Sequence, residues 1–110
     1  MQKIIFLVQG SSADPYEVVF QNDDSVLSAT CTCQAGAMGQ VCKHRVSILE
    51  GSPSDVVSGN EAEIATITSW LPGSKLALAM SALADAESDL EKAKKRVASS
   101  KKQLVSAMHP

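Results

Sequence analysis

The chain has 110 residues, of which 45% are apolar and 20% charged, and its formal net charge is −2. This length allows one domain, or a very small domain with an appendage. With only four aromatic residues, a single large core is not expected, and a fold this small often needs a metal, a disulfide or a partner. The negative charge excludes a polycation built to coat nucleic acid.

The first third of the chain predicts three short β-strands. An apolar run over residues 3–8 precedes the turn signal GSSADP, residues 16–21 are rich in β-branched and aromatic types, and residues 25–31 follow a turn at 22–24. The first ten residues are too poor in apolar residues for a secretory signal, and no stretch approaches the ~20 apolar residues of a membrane span. We therefore expect a cytoplasmic protein with no membrane contact.

The rest of the chain predicts helices. Residues 51–59 are interpreted as a polar linker between a first domain, 1–50, and a helical domain, 60–110. Asn60 and Glu63 fit a capping box for a helix that ends near Leu71, before Pro72. Ser74 is expected to cap a second helix over residues 74–108, about 50 Å long. The predicted fold class is α+β: a small antiparallel β-meander and a short helix, then a helical hairpin whose long C-terminal helix is expected to form a coiled coil.

All three cysteines lie in the segment CTCQAGAMGQVCKH, residues 31–44. Residues two apart on a strand face the same way, so Cys31 and Cys33 are able to grip one ion together. Cys42 and His44 suit a turn that enters a helix. Three thiolates and one imidazole complete a tetrahedral zinc shell with no open position. The spacing therefore predicts one structural Zn²⁺ per chain, held by Cys31, Cys33, Cys42 and His44.

This spacing resembles the SWIM zinc finger, whose motif is Cys-x-Cys, a variable loop and Cys-x-His. The resemblance covers roughly residues 16–50 and implies the same four zinc ligands. It also implies a role in binding DNA or other proteins and not in catalysis. Val41 stands where the family often has proline before the third cysteine.

These residues also allow two other interpretations. Cys31 and Cys33 are candidates for a redox pair, but Cys-x-Cys is not the common Cys-x-x-Cys spacing. Cys42 and His44 are candidates for a nucleophile–base dyad, but no third orienting residue is evident. No carboxylate pair, phosphate loop or open metal site is evident in the sequence. We therefore expect a protein that is not an enzyme.

The long helix carries a heptad repeat. Large apolar residues recur every seven positions from residue 76 to 104, and small residues follow three positions after each. The alternative is an amphipathic helix that packs on its own domain. We favour an antiparallel homodimer, and a coiled coil with another protein's helix is the main rival. The predicted interface is Leu76, Ala79, Leu83, Ala86, Leu90, Ala93, Val97 and Leu104.

Basic residues are the remaining candidates for function. They flank the ligands and form a block over residues 92–102, whereas acidic residues dominate 85–91. These basic residues could contact another protein, bind phosphate groups or simply be solvated, and the sequence does not distinguish these roles. The candidate contacts are Lys43, Arg45, Lys92, Lys94, Lys95 and Arg96. The sequence favours a protein-binding adapter or regulator, and a DNA-binding regulatory protein is the alternative.

Overall fold

The structure is a computed structural model that describes residues 1–109. Three antiparallel strands form one sheet in the order β1-β2-β3, and a 3-10 turn at Glu61–Glu63 precedes the third helix. The strands are β1 (Gln2–Val8), β2 (Tyr16–Asp23) and β3 (Val26–Cys31). The helices are α1 (Gln34–Ala37), α2 (Lys43–Leu49), α3 (Ile64–Trp70) and α4 (Lys75–Met108). The α+β class and the three-stranded meander are confirmed.

The β2–β3 hairpin has a two-residue turn with an unusual backbone. Asp24 and Ser25 have φ values of 52° and 67°, both in the left-handed region. Two such residues between antiparallel strands twist the hairpin in the direction that the strands themselves prefer. The turn sets the register in which Val18 of β2 pairs with Cys31 of β3. The hairpin therefore places the first zinc ligand beside a buried residue of the central strand.

The core lies on one face of the sheet. Phe6, Val18 and Phe20 are fully buried there, and the rings of Phe6 and Phe20 meet edge to face with centroids 5.9 Å apart. Ile48 of α2 and Ile67 of α3 are also buried, and α2 contacts both β3 and α3. The buried residues of β1 and β2 thus lie two positions apart, and they pack against the apolar sides of two short helices. The core is small, as the shortage of aromatic residues predicts.

The segment predicted as a linker packs against the sheet. Val56 forms a β-bridge with Val8, and the Gln9 amide donates to the Asp55 carbonyl at 2.8 Å. The Val57 amide donates to the Leu7 carbonyl, also at 2.8 Å. We name residues 55–60 the β1 strap, because they cover the free edge of β1. Met1–Ala77 forms one compact unit, so the structure places no boundary at residues 51–59.

The two predicted helix caps have different outcomes. Ser74 is confirmed as the N-terminal cap of α4, since its Oγ accepts the Ala77 amide at 3.0 Å. The capping box at Asn60 is wrong, because the Asn60 side chain accepts no backbone N–H of the helix. Its Nδ2 donates instead to the Ile5 carbonyl at 2.9 Å and to Glu63 Oε2 at 2.8 Å. The Asn60 side chain attaches the β1 strap to β1, and the 3-10 turn that starts the helix uses only its carbonyl, which accepts the Glu63 amide at 2.9 Å.

The second compact unit begins at Leu78 and consists of the remainder of α4. Among the described residues, α4 runs as one uninterrupted helix to Met108, as predicted, and none of its residues is fully buried. No helix within residues 1–109 is long and apolar enough to cross a membrane.

Candidate metal centre

The four predicted ligands converge on one point between β3 and α2. Cys31 ends β3, Cys33 follows it, Cys42 precedes α2 and His44 lies in its first turn. All four are buried, and their ligand atoms lie within 4.8 Å of one another. The side chains of the two pairs therefore point into a shared site, as the Cys-x-Cys and Cys-x-His spacing predicts.

The geometry fits a tetrahedral zinc ion. His44 Nδ1 lies 3.8 Å from Cys31 Sγ and 3.7 Å from Cys42 Sγ. Zn–S bonds of about 2.3 Å and a Zn–N bond of about 2.0 Å at tetrahedral angles require S···N separations of about 3.5 Å. Nδ1 is thus the ligand atom of His44. The residues therefore fit the metal with only small inward movements, and the chain is positioned to bind one zinc ion.

Backbone amides stabilise the sulfurs. The Cys33 amide donates to Cys31 Sγ at 3.5 Å, and the Gly36 amide donates to Cys33 Sγ at 3.3 Å. Three thiolates around Zn²⁺ carry a net charge of about −1. N–H dipoles directed at the sulfurs offset part of that charge and favour the thiolate form.

Without metal, the thiols ionise unequally. Burial raises the pKa of Cys31 to about 12, and the neighbouring Cys42 adds to this effect. Burial also opposes ionisation of Cys42, but hydrogen bonds from the Arg45 backbone, from Cys33 and from the Arg45 side chain lower the pKa of Cys42 to about 6. Without metal, Cys42 is therefore ionised near neutral pH, whereas Cys31 keeps its proton. Zinc must displace the proton of Cys31 to bind.

Arg45 is partly buried and bonded to the finger itself. Its guanidinium donates to the Ala29 carbonyl of β3 at 3.3 Å and to the Gln40 carbonyl. Gln40 belongs to the loop between Cys33 and Cys42, which we name the ligand loop. The Arg45 side chain therefore joins β3 to the loop that precedes Cys42. Lys43, its neighbour on the other side of His44, is exposed. The structure thus places the two candidate contacts of the finger in different environments.

Glycine has two separate roles in the ligand loop. A Cβ on Gly36 would lie 3.0 Å from the Cys31 carbonyl carbon and nearer still to its oxygen, so the backbones approach too closely for any side chain. Gly39 has open space around it but a φ of 71°, a conformation that favours glycine. Glycine is therefore required for a steric reason at Gly36 and for a conformational reason at Gly39.

Two neighbours of His44 had no signal in the sequence. The Tyr16 ring packs on the imidazole with centroids 4.9 Å apart. A Cβ on Gly10 would lie 2.9 Å from Tyr16 Cδ2 and 3.1 Å from His44 Nε2, so glycine leaves room for both rings. Tyr16 begins β2 and Gly10 follows β1, and only the folded sheet brings them to the ligand.

The predicted residues of the long helix are not part of this ligand cluster. Lys92, Lys94, Lys95 and Arg96 belong to the second compact unit and line no part of the ligand cluster. Leu76 is half-buried beside Leu27, Val46 and Leu49. The later large apolar residues of the repeat, from Leu83 to Leu104, are exposed.

Three cysteines and one histidine, buried between a β-hairpin and a short helix, define a zinc finger of the Cys3His type. Residues 16–50 match the family model of the SWIM zinc finger, and the match covers β2, β3, α1 and α2. The resemblance predicted from the cysteine spacing is therefore confirmed for this segment. No curated protein and no solved structure matches the chain.

Proposed function

We propose that this protein is a non-catalytic, cytoplasmic adapter or regulator that dimerises through α4 and binds another protein. One observation carries the proposal: the apolar stripe of α4 is exposed. Leu83, Leu90, Val97 and Leu104 are each about half accessible, between 47% and 58%, in a helix with no fully buried residue. A stripe of this kind is stable in water when another helix covers it.

The closed metal site supports a structural role for zinc. Four protein ligands fill a tetrahedral shell, whereas catalytic zinc keeps a position open for water or substrate. The ligands join β3 to α2, so the ion would hold together two elements that share a small core. Zinc would therefore supply folding energy, and partner recognition would be left to the surface.

The repeat of α4 suits an antiparallel pair of identical helices. With the two-fold axis between residues 91 and 92, Leu90 lies opposite Ala93 of the other copy, and Val97 lies opposite Ala86. Leu83 and Leu104 likewise meet Ser100 and Ala79. Each layer then pairs a large residue with a small one, which allows close packing without voids.

The charges of α4 favour the same orientation. Antiparallel helices bring Glu87 near Lys94 of the other copy and Asp89 near Arg96, and the two-fold symmetry doubles both pairs. A parallel pair would instead bring Arg96 near Lys101, a repulsion. Each exposed pair contributes only about 0.2–1 kcal/mol, so charge selects the orientation and apolar packing supplies the stability.

Photo-cross-linking will determine the orientation of the helices. A photo-reactive amino acid in place of exposed Ala82 lies on the flank of the seam, where an antiparallel partner presents Gln103. We expect cross-links to the peptide around residue 103, located by mass spectrometry. Cross-links to the peptide around residue 82 would show a parallel pair. The same amino acid at Ser88, on the outer side of the helix, serves as the control and should give no dimer band.

Protein is favoured over nucleic acid as the partner. The Arg45 guanidinium is already engaged by two carbonyl groups, which leaves Lys43 as the exposed cation beside the ligands. In the antiparallel pair residues 92–98 of the basic block face the acidic segment, 85–91, of the other copy. Both features reduce the positive charge available to phosphates.

Binding experiments will show whether the partner is a protein or DNA. We expect weak, non-specific DNA binding that disappears as salt rises to physiological concentration, because few cations remain free to displace counterions. Capture from the native cell should recover the same proteins with and without nuclease. Sequence-dependent DNA binding at physiological salt, lost in a Lys43→Ala variant and kept in a Lys3→Ala control, would establish the DNA-binding alternative instead.

A further inference from the structure

The second ring nitrogen of His44 is buried without a partner. Nδ1 faces the cysteines, so Nε2 carries the proton when Nδ1 binds a metal. His44 is only 8% exposed, and among the described residues no protein atom accepts a hydrogen bond from Nε2. A buried N–H without an acceptor costs about 1–3 kcal/mol. Metal-bound histidines usually avoid this cost by donating to a carboxylate, a carbonyl or a water.

A small cavity beside His44 contains a suitable acceptor. It has a volume of about 140 Å³, and its lining includes His44, Ser47, Ser52 and Asp55. It has room for water, which needs about 30 Å³ per molecule and two or more polar partners. Asp55 is the one carboxylate in that lining, and Lys43 is the one cation.

The backbone places Asp55 on the Nε2 side of the ring. A Cβ on Gly10 would lie 3.1 Å from Nε2, so the chain at Gly10 passes close to this atom. The preceding residue, Gln9, donates its amide to the Asp55 carbonyl at 2.8 Å. Nε2 and Asp55 therefore lie at the same junction, where β1 ends and the β1 strap begins.

We propose that Asp55 is a positioning residue for the zinc centre, whose carboxylate accepts the Nε2–H of His44 through water in this cavity. The interaction fixes the tautomer that leaves Nδ1 free to bind the metal and holds the ring towards the three sulfurs. It also makes the imidazole a stronger electron donor. The β1 strap thereby contributes to metal binding without containing a ligand. This role does not depend on dimerisation or on a partner.

The test uses the full-length, zinc-loaded protein. We expect Asp55→Ala to weaken zinc binding 10- to 100-fold in competition with a chelator, the usual effect of losing such an acceptor. Asp55→Asn keeps an oxygen acceptor and should recover most of the affinity. The control is Asp23→Ala, which removes the same charge at the far end of β2 and should bind zinc like the original protein.

Nuclear magnetic resonance gives a second, independent readout. The Nε2–H proton of His44 should be visible and protected from solvent exchange in the original protein, and should exchange rapidly in Asp55→Ala. Unchanged zinc affinity in Asp55→Ala, or an Nε2–H equally protected without the carboxylate, would overturn the proposal. If Asp55→Ala does not fold, the Asp55→Asn variant decides: a carboxamide oxygen is a weaker acceptor than a carboxylate, so the Nε2–H of His44 should exchange faster than in the original protein, and an unchanged exchange rate would overturn the proposal.

Discussion

Replacing His44 by alanine should cost the protein its zinc and the fold of the Met1–Ala77 unit. Structural zinc in small fingers contributes about 10–16 kcal/mol of apparent binding energy, which equals or exceeds the total stability of about 5–15 kcal/mol of an ordinary domain. The core that remains has few large side chains. We therefore expect the cooperative thermal transition of this unit to disappear in His44→Ala. A strong chelator should have the same effect on the original protein.

The chain contains a matched control for this experiment. His109 is its second histidine, is exposed and lies outside the ligand cluster. His109→Ala should retain one zinc per chain by metal analysis and melt at the original temperature. A His44→Ala protein that keeps one zinc and melts normally would contradict the assignment of the fourth ligand.

Replacing Leu90 by aspartate should dissociate the proposed homodimer. The change removes a large apolar side chain from the two central layers and places a carboxylate in each. Loss of one such side chain alone costs about 2–5 kcal/mol, and burying a charge adds to that cost. We expect a dimer at tens of micromolar for the original protein and a monomer for Leu90→Asp, measured by light scattering.

Leu78 is the matched control for the helix seam. It is a leucine of the same helix, is 71% exposed and lies on the outer side of the repeat. Leu78→Asp should therefore remain dimeric. If the original protein is itself a monomer at these concentrations, the homodimer is wrong and the seam belongs to a helix of another protein. Equal dissociation by both substitutions would show that the heptad assignment is wrong.

The metal centre could be predicted from the sequence because its four ligands lie close together along the chain. Four ligands within 14 residues restrict the chain so strongly that spacing and ligand chemistry identify them, and the hairpin that leads into them follows from its turn signal. The same holds for α4, where a seven-residue period and Ser74 define the helix. Periods and caps are properties of neighbours along the chain.

The residues that surround the metal centre could not be predicted from the sequence. Tyr16 against the imidazole, Asp55 at its cavity and Asn60 on β1 are joined to their partners only by tertiary structure. Residues 55–60 include serine, glycine and asparagine, which are typical of a linker. Their role as an edge strap depends on backbone hydrogen bonds, and composition does not encode these.

The coverage of the sheet edges has a consequence for how the protein avoids aggregation. An open strand edge invites pairing with strands of other molecules and so promotes fibril growth. The β1 strap occupies one edge over Ile5–Val8. At the other edge, β3 has only six residues, and its Ala29 carbonyl is taken by Arg45. A growing fibril thus finds one edge of this sheet covered and the other edge short. During synthesis, however, the edge of β1 stays open until residues 55–60 have left the ribosome, and until then the nascent chain lacks this protection.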